Sequence, residues 1–302
     1  MNIIEPRYEI FLQQPGLEGM YKQIEYCGRI SHKSEDQITD ISYKKFIDKM
    51  RRLQHFATFE HGTVYLKIEE SSEPMDERWK NIVKFYAKNP YSKVNYHDWA
   101  YYITTNYRVI CENNRSDDMQ YVCEPTDFHE KRYTVIFTCD IGVSREYNRH
   151  RVDSILEEST RYCNYAKGGE TNLNVMIPIW LKEYEESIRE LMHKRSLKDY
   201  CYMISDDTDD DFTAIDCWMF ANLACEYSYD HLVNKHKWTP QQARTVLPLD
   251  TKTTLAHTAF ESDWRHFFDL RALGTTGAPH PSAKELAEPL MHDFEKNGYV
   301  IE

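Results

Sequence analysis

The sequence predicts an α+β fold: an antiparallel sheet with flanking helices. Two observations carry this. Two segments in the first half alternate apolar and polar residues with period two, and the second half repeats apolar residues at helical spacing. The 10 glycines and 11 prolines are scattered, and no internal repeat or heptad period is present. At 302 residues, 41% hydrophobic and 14% aromatic, the chain has enough apolar surface for a sizeable core, which excludes disorder. A single domain over 1–302 is expected.

The first strand signal is GTVYLKIEE, where Val64, Leu66 and Ile68 alternate with Thr63, Tyr65 and Lys67. The strongest is RYTVIFTCDIGV, with Tyr133, Val135, Phe137, Cys139, Ile141 and Val143 on one face. The two are expected to pair antiparallel. The stretch at about 69–131 then reads as an insertion inside that hairpin, with a helix in DERWKNIVKFYAK. Helices dominate the second half. IWLKEYEESIRELMHK places Leu181, Tyr184, Ile188 and Leu191 on one face, and DFTAIDCWMFANLACEYSYDHLVNKH follows. Thr239-Pro240-Gln241-Gln242 has the cap, first-turn Pro and third-position Gln of a helix start. TTLAHTAFESDWRHFFDLRAL reads as a further helix, with Trp264, Phe267 and Phe268 as core, and Ser282 with Glu285 opens the last.

The 37 basic against 49 acidic residues give a net charge of −12, which demotes nucleic-acid binding, since such binding rests on phosphate neutralisation. No apolar stretch is long enough to span a membrane. The 8 cysteines show no C-x-x-C spacing, and MNIIEPRYEIF lacks a basic start followed by an apolar run. Free thiols in a cytoplasmic setting are the expectation, the host cytoplasm if the source is viral. Asp206, Asp207, Asp209, Asp210 and Asp211 read as an exposed loop, with a metal site as the minor alternative. His55 and His61 lack the companions of a metal centre, and no metal is expected.

REYNRHRVDSILEESTR gathers Arg145, Arg149, Arg151 and Arg161 just after the strongest strand signal. Guanidinium groups present a planar fork matched to phosphate oxygens, so this cluster suits an anionic ligand. The bland alternative is a solvated face whose arginines pair with Glu146, Asp153, Glu157 and Glu158.

The order of residues bears on that choice. Arg149-His150-Arg151, seven residues, then Ser159 is a pattern expected by chance in about one chain in a thousand of this length. It resembles the signature of the flavin-dependent thymidylate synthases, and the likeness extends through Ser154, Glu157, Arg161 and Tyr162. Other segments fall in the family's order: Arg29 and Ser31 in GRIS, His55, Glu60 and His61 in QHFATFEHGTVYLKI, Arg244 in QARTVLPL and Arg271 in RHFFDLRAL. The 69–131 stretch has no such counterpart.

The resemblance implies an α+β fold with an insertion. It also implies a homotetramer with active sites between subunits, bound FAD, and dUMP converted to dTMP with methylenetetrahydrofolate and NADPH. By position, Arg149, His150, Arg151, Glu157, Ser31, His55, Glu60 and His266 would meet FAD. Glu146, Arg149, Glu157, Glu158, Ser159, Thr160, Arg161, Arg244 and Arg271 would line the dUMP site. Ser159 and Arg161 would take the phosphate, and Arg271 would act catalytically by stabilising negative charge at uracil N3. His150 is expected neutral beside cations. Cys163, close to the signature, has no sequence context for a nucleophile. Glu146, Leu156, Ala57, Phe260, Ser262 and His266 depart from the family's usual residues. Those at Glu146, Phe260 and Ser262 motivate the alternative of a flavin- or nucleotide-binding relative with impaired turnover.

Overall fold

A computed structural model describes residues 1–70, 78–166, 173–206, 208 and 211–299. Its main sheet has four strands: β2 (Arg7–Phe11), β6 (Arg132–Asp140), β9 (Lys252–Phe260) and β7 (Ser154–Glu157), in the order β2-β6-β9-β7. Every neighbouring pair is antiparallel. On one face Cys27 and Ile30 of α1 (Gly16–Ile30) pack on Ile136 and Ala256. On the other, Val135, Phe137 and Leu255 meet α10 (Glu261–Phe268) and α11 (Pro281–Asn297) through Trp264, Phe267, Leu286 and Phe294. Phe137 and Trp264 are both fully buried. Truncating either to Ala would cost about 3–5 kcal/mol in lost transfer energy and residual cavity.

A second sheet joins β3 (Thr63–Glu69), β5 (Ala100–Asn106) and β4 (Lys93–His97), in the order β3-β5-β4. The expected pairing of 63–70 with 132–143 therefore does not form. β3 takes β5 as its partner, with Leu66 opposite Ile103, while β6 is flanked by β2 and β9. The stretch at about 69–131 is not a hairpin insertion either. Its helices α3 (Arg78–Lys88) and α4 (Tyr107–Glu112) supply Ile82, Tyr86 and Ile110 to a core shared with Met20 and Ile24 of α1 and Ile47 of α2 (Ser42–Leu53). The helix expected in DERWKNIVKFYAK is α3.

Three further readings are corrected. Residues 252–260, read as part of a helix, form the strand β9, because a strand covered on both faces loses its polar alternation and mimics a helical apolar run. Helices therefore do not fill the second half alone. Strand β6 ends at Asp140, whose carboxylate caps α5 (Ile141–Tyr147) by accepting the Val143 N–H at 2.6 Å, so Ile141 and Val143 are helical. The last helix starts at Pro281 after His280, which puts Ser282 inside its first turn.

The stretch 179–194 opens as a 3-10 turn before α6 (Glu185–Lys194), and Tyr184 is exposed while Leu181 and Ile188 are buried. Then come α7 (Leu197–Ser205), α8 (Ala214–Asp230) and the short α9 (Pro240–Ala243), whose capping box joins Thr239 and Gln242 as expected. Asp207, Asp209 and Asp210 of the acidic run lie outside the described residues. A two-residue parallel bridge pairs β1 (Asn2–Ile3) with β8 (Asn174–Val175). Among the described residues no helix is long and apolar enough to cross a membrane.

Candidate active site

The signature segment 145–161 runs from α5 through β7 to the turn beyond it. Its carboxylates are not the partners of its arginines. Glu146 is held by Arg271, whose Nη1 donates to Glu146 Oε2 at 2.8 Å and whose Nη2 donates to the Glu146 carbonyl at 2.6 Å. Asp153 Oδ2 is 2.6 Å from His257 Nε2, and both side chains are buried in the sheet. Glu157 accepts from Ser144, Thr253 and Asn148. Glu158, 3% exposed, accepts from Lys33 at 2.9 Å, Lys252 at 2.7 Å and Tyr165 at 3.1 Å. Arg145, Arg149 and Arg151 are exposed and have no ion-pair or hydrogen-bond partner among the described residues. The solvated ion-paired face weighed as the bland alternative is therefore absent.

Three cavities surround this segment. The first, about 420 Å³, is lined by Arg149, His150, Arg151, His266 and Arg271. Arg271 is only 9% exposed. Its Nε donates to His150 Nε2 at 3.2 Å, so that nitrogen carries no proton in this arrangement. Burial, then the neighbouring His257 and Arg271, pushes His150 down to about 4. The histidine is neutral as expected, with desolvation rather than cation repulsion as the main cause.

The second cavity, about 570 Å³, brings together Arg145, Glu157, Glu158, Ser159, Thr160 and Arg244. Arg244 Nη1 donates to Thr160 Oγ1 at 3.3 Å, and Arg161 Nε donates to Gln241 Oε1 at 3.0 Å. Residues far apart in sequence are thus joined: the Arg244 segment sits directly on the signature turn.

The third cavity, about 830 Å³, is lined by Ser31, His55, Arg108, Leu156 and Tyr162, among others. Gly28 permits its inner wall. A Cβ there would lie 2.5 Å from Cζ of Phe46, so a larger residue would have to displace that ring of α2. The turn at 157–162 separates this cavity from the second, and the Ser159 N–H donates to the Ser31 carbonyl at 3.0 Å. Glu60 is engaged by Arg108, and His55 is exposed. The departures Ala57 and Leu156 line this third cavity. Phe260 and Ser262 do not line any of the three. Phe260 packs 5.3 Å below the Arg132 guanidinium, and Ser262 donates to Glu130.

The sequence-predicted residues therefore fall into three groups within one chain: Arg149, His150, Arg151, His266 and Arg271; Glu157 to Arg161 with Arg244; and Ser31 with His55. Glu146 borders the first group through Arg271. Arg108 was missed. It lies in the stretch without a counterpart, and its place in the third cavity and its pairing with Glu60 reveal it. Arg145 was seen in the cluster but given no role, although it lines the second cavity.

Cys163 is buried, and burial with Glu158 pushes its thiol up to about 11, which removes any ready thiolate. His61 is buried against Thr258, 2.8 Å away, and burial with Arg132 lowers it to about 3. Among the described residues no group of His, Cys, Asp or Glu is disposed to hold a metal ion.

No curated protein matches. Two solved structures of a UMP/dUMP methylase, PolB, from Streptomyces cacaoi are similar. The one bound with 5-Br dUMP is 14% identical, covering 98% of this chain and 93% of that chain with a TM-score of 0.42. The one bound with 5-Br UMP is 16% identical, covering 98% and 92% with a TM-score of 0.43. The family model described as thymidylate synthase complementing protein matches residues 125–297, a span that takes in the signature arginines, the Arg244 segment and Arg271. With more than half of its length matched, the chain belongs to the thymidylate synthase complementing protein family, the flavin-dependent thymidylate synthases.

Proposed function

We propose that this chain is an FAD-dependent methyltransferase that converts dUMP to dTMP with methylenetetrahydrofolate and NADPH. The observation that carries the reading is the set of unpaired arginines, Arg145, Arg149 and Arg151, whose neighbouring carboxylates are all committed elsewhere. Exposed guanidiniums without counterions are donors waiting for an anion.

Arg149 and Arg151 would hold FAD phosphates, with Ser31, His55 and His266 as its further contacts. The donor set fits: two free guanidiniums, a hydroxyl and two imidazoles beside cavities of about 420 and 830 Å³. FAD, when bound, supplies the hydride chemistry. Ser159, Thr160, Arg161 and Arg244 would grip the dUMP phosphate. Glu157 and Glu158 would act by holding their turn in place, since their carboxylates already bond within the chain. Arg271 would face the pyrimidine. An opposite charge there favours ionisation at N3 and raises electron density at C5, the carbon to be alkylated. Copies of the chain assembling as a homotetramer would bring the three groups to one site.

A second reading, a relative that binds without turnover, draws on one observation: Glu146 occupies part of the Arg271 fork. The test is a visible absorption spectrum of the purified protein with added FAD, followed by product analysis with dUMP, UMP, NADPH and methylenetetrahydrofolate. Flavin uptake with dTMP formation supports the enzyme. Flavin or dUMP binding without product supports the second reading. Failure to bind either overturns both.

A further inference from the structure

The third cavity carries a charge pattern at odds with the chain as a whole. The protein has a net charge of −12, yet this cavity collects Arg29, Lys45, Lys49 and Arg108 with Glu112 as its one lining carboxylate among the described residues. Two of those cations are already used: Arg29 bonds Glu25, and Arg108 bonds Glu60 and Glu112. Lys45 and Lys49 are different. They stand one turn apart on α2, both exposed, and neither has an ion-pair or hydrogen-bond partner among the described residues. Between them and Ser31 the wall is apolar and aromatic, formed by Phe46, Met50, Phe56 and Tyr162, with the His32 ring 4.8 Å from the Tyr162 ring.

Beside an FAD held at Ser31 and His55, an aromatic wall leading to a pair of free ammonium groups suits a second ligand with a flat ring and a multiply charged anionic tail. Resting on the function proposed above, we infer that Lys45 and Lys49 form a subsite for the polyanionic tail of a co-substrate. That tail is either the poly-γ-glutamyl chain of the folate or the adenosine phosphates of the dinucleotide. The two sources share one chemistry, repeated carboxylate or phosphate oxygens reaching out of the cavity past α2. Lysine suits this role because a flexible ammonium follows a mobile tail, whereas a guanidinium fork selects one fixed geometry. The long range of the attraction makes it dependent on ionic strength.

The experiment compares ligand pairs that differ only in tail charge. Equilibrium binding of pentaglutamyl against monoglutamyl tetrahydrofolate, and of NADPH against NADH, is measured by titration for the wild-type chain and for K45Q/K49Q. Circular dichroism confirms that the variant folds. Wild type is expected to prefer the more charged member of one pair by about tenfold at low salt, as two exposed ion pairs allow. The double variant is expected to lose most of that preference, and 0.5 M salt is expected to abolish it in wild type. Loss confined to the folate pair identifies the glutamyl tail, and loss confined to the NADPH pair identifies the phosphates. A wild-type chain that binds these ligands without preferring the charged member, or a variant that keeps the preference, overturns the inference alone. A wild-type chain that binds none of them overturns the functional reading with it.

Discussion

Replacing Glu146 by Gln tests whether the Glu146–Arg271 contact tunes the site. An arginine has five N–H donors, and Arg271 commits one to His150 and two to Glu146, the carboxylate and the carbonyl. Glu146→Gln keeps the size and an acceptor oxygen but removes the charge. A charge-assisted bond is worth about 1 kcal/mol more than a neutral one. The Glu146 side chain is 34% exposed, so solvent screening discounts that figure. The expected loss of stability is about 0.5–1 kcal/mol, a fall in Tm of about 1–2 °C. Ligand binding should move the other way. A carboxylate about 6 Å from a pyrimidine carrying charge at N3 repels it by about 1–3 kcal/mol at an effective dielectric between 20 and 60. The variant should therefore bind 5-fluoro-dUMP, whose N3 is more acidic, about tenfold tighter at pH 8, with a smaller gain for dUMP. Calorimetric titration of both nucleotides measures this. Weaker binding of both by the variant would refute the reasoning and make Glu146 a direct substrate contact.

Other outcomes follow from the buried groups. His150 at about 4 and His61 at about 3 both lie below the unfolded value near 6.5, so the unfolded chain binds more protons in that window. Stability from each is whole above pH 6.5 and falls by about 1.4 kcal/mol per pH unit as pH drops toward the folded value. Urea unfolding between pH 6 and 4 should show the two contributions together, about 2.7 kcal/mol per pH unit, and a flat profile would contradict it. Asp153→Ala leaves buried His257 Nε2 without its partner and should cost about 1–3 kcal/mol in the same assay, where no measurable loss would argue that water already reaches the pair. Cys163→Ser should leave dTMP formation within twofold of wild type, and a fall of a hundredfold would restore the cysteine to the chemistry.

Much of the candidate site was legible because its residues are polar and stand in a recognisable local order. The signature arginines, Arg244 and Arg271 stand in family order, and the structure joins Arg244 to Thr160 and Arg271 to His150. What the sequence hides is partnership. Nothing in the order of residues says that Glu158 turns inward to Lys33 and Lys252, 125 and 94 positions away along the chain, rather than to the arginine three residues on.

 The same holds for the sheets. Strand β6 announced itself, but β9 carries Thr253, His257 and Thr258 in its interior, where Thr258 bonds Thr134 across the sheet, so the polarity pattern that marks a half-buried strand is missing. Strand β5, AYYITTN, has strand-forming Tyr, Ile and Thr but lies in the stretch read as a hairpin insertion, and only its pairing with β3 across Leu66 and Ile103 shows where it belongs. Long-range pairing is a property of the whole chain, and local spacing does not encode it.

The hydrogen bond from the Ser159 amide to the Ser31 carbonyl has a thermodynamic consequence. One stretch of backbone serves as a party wall between two chambers, so an occupant that shifts it on one side alters the room on the other. Linkage then requires reciprocity: the factor by which a nucleotide changes the affinity for its neighbour must equal the factor by which that neighbour changes the affinity for the nucleotide.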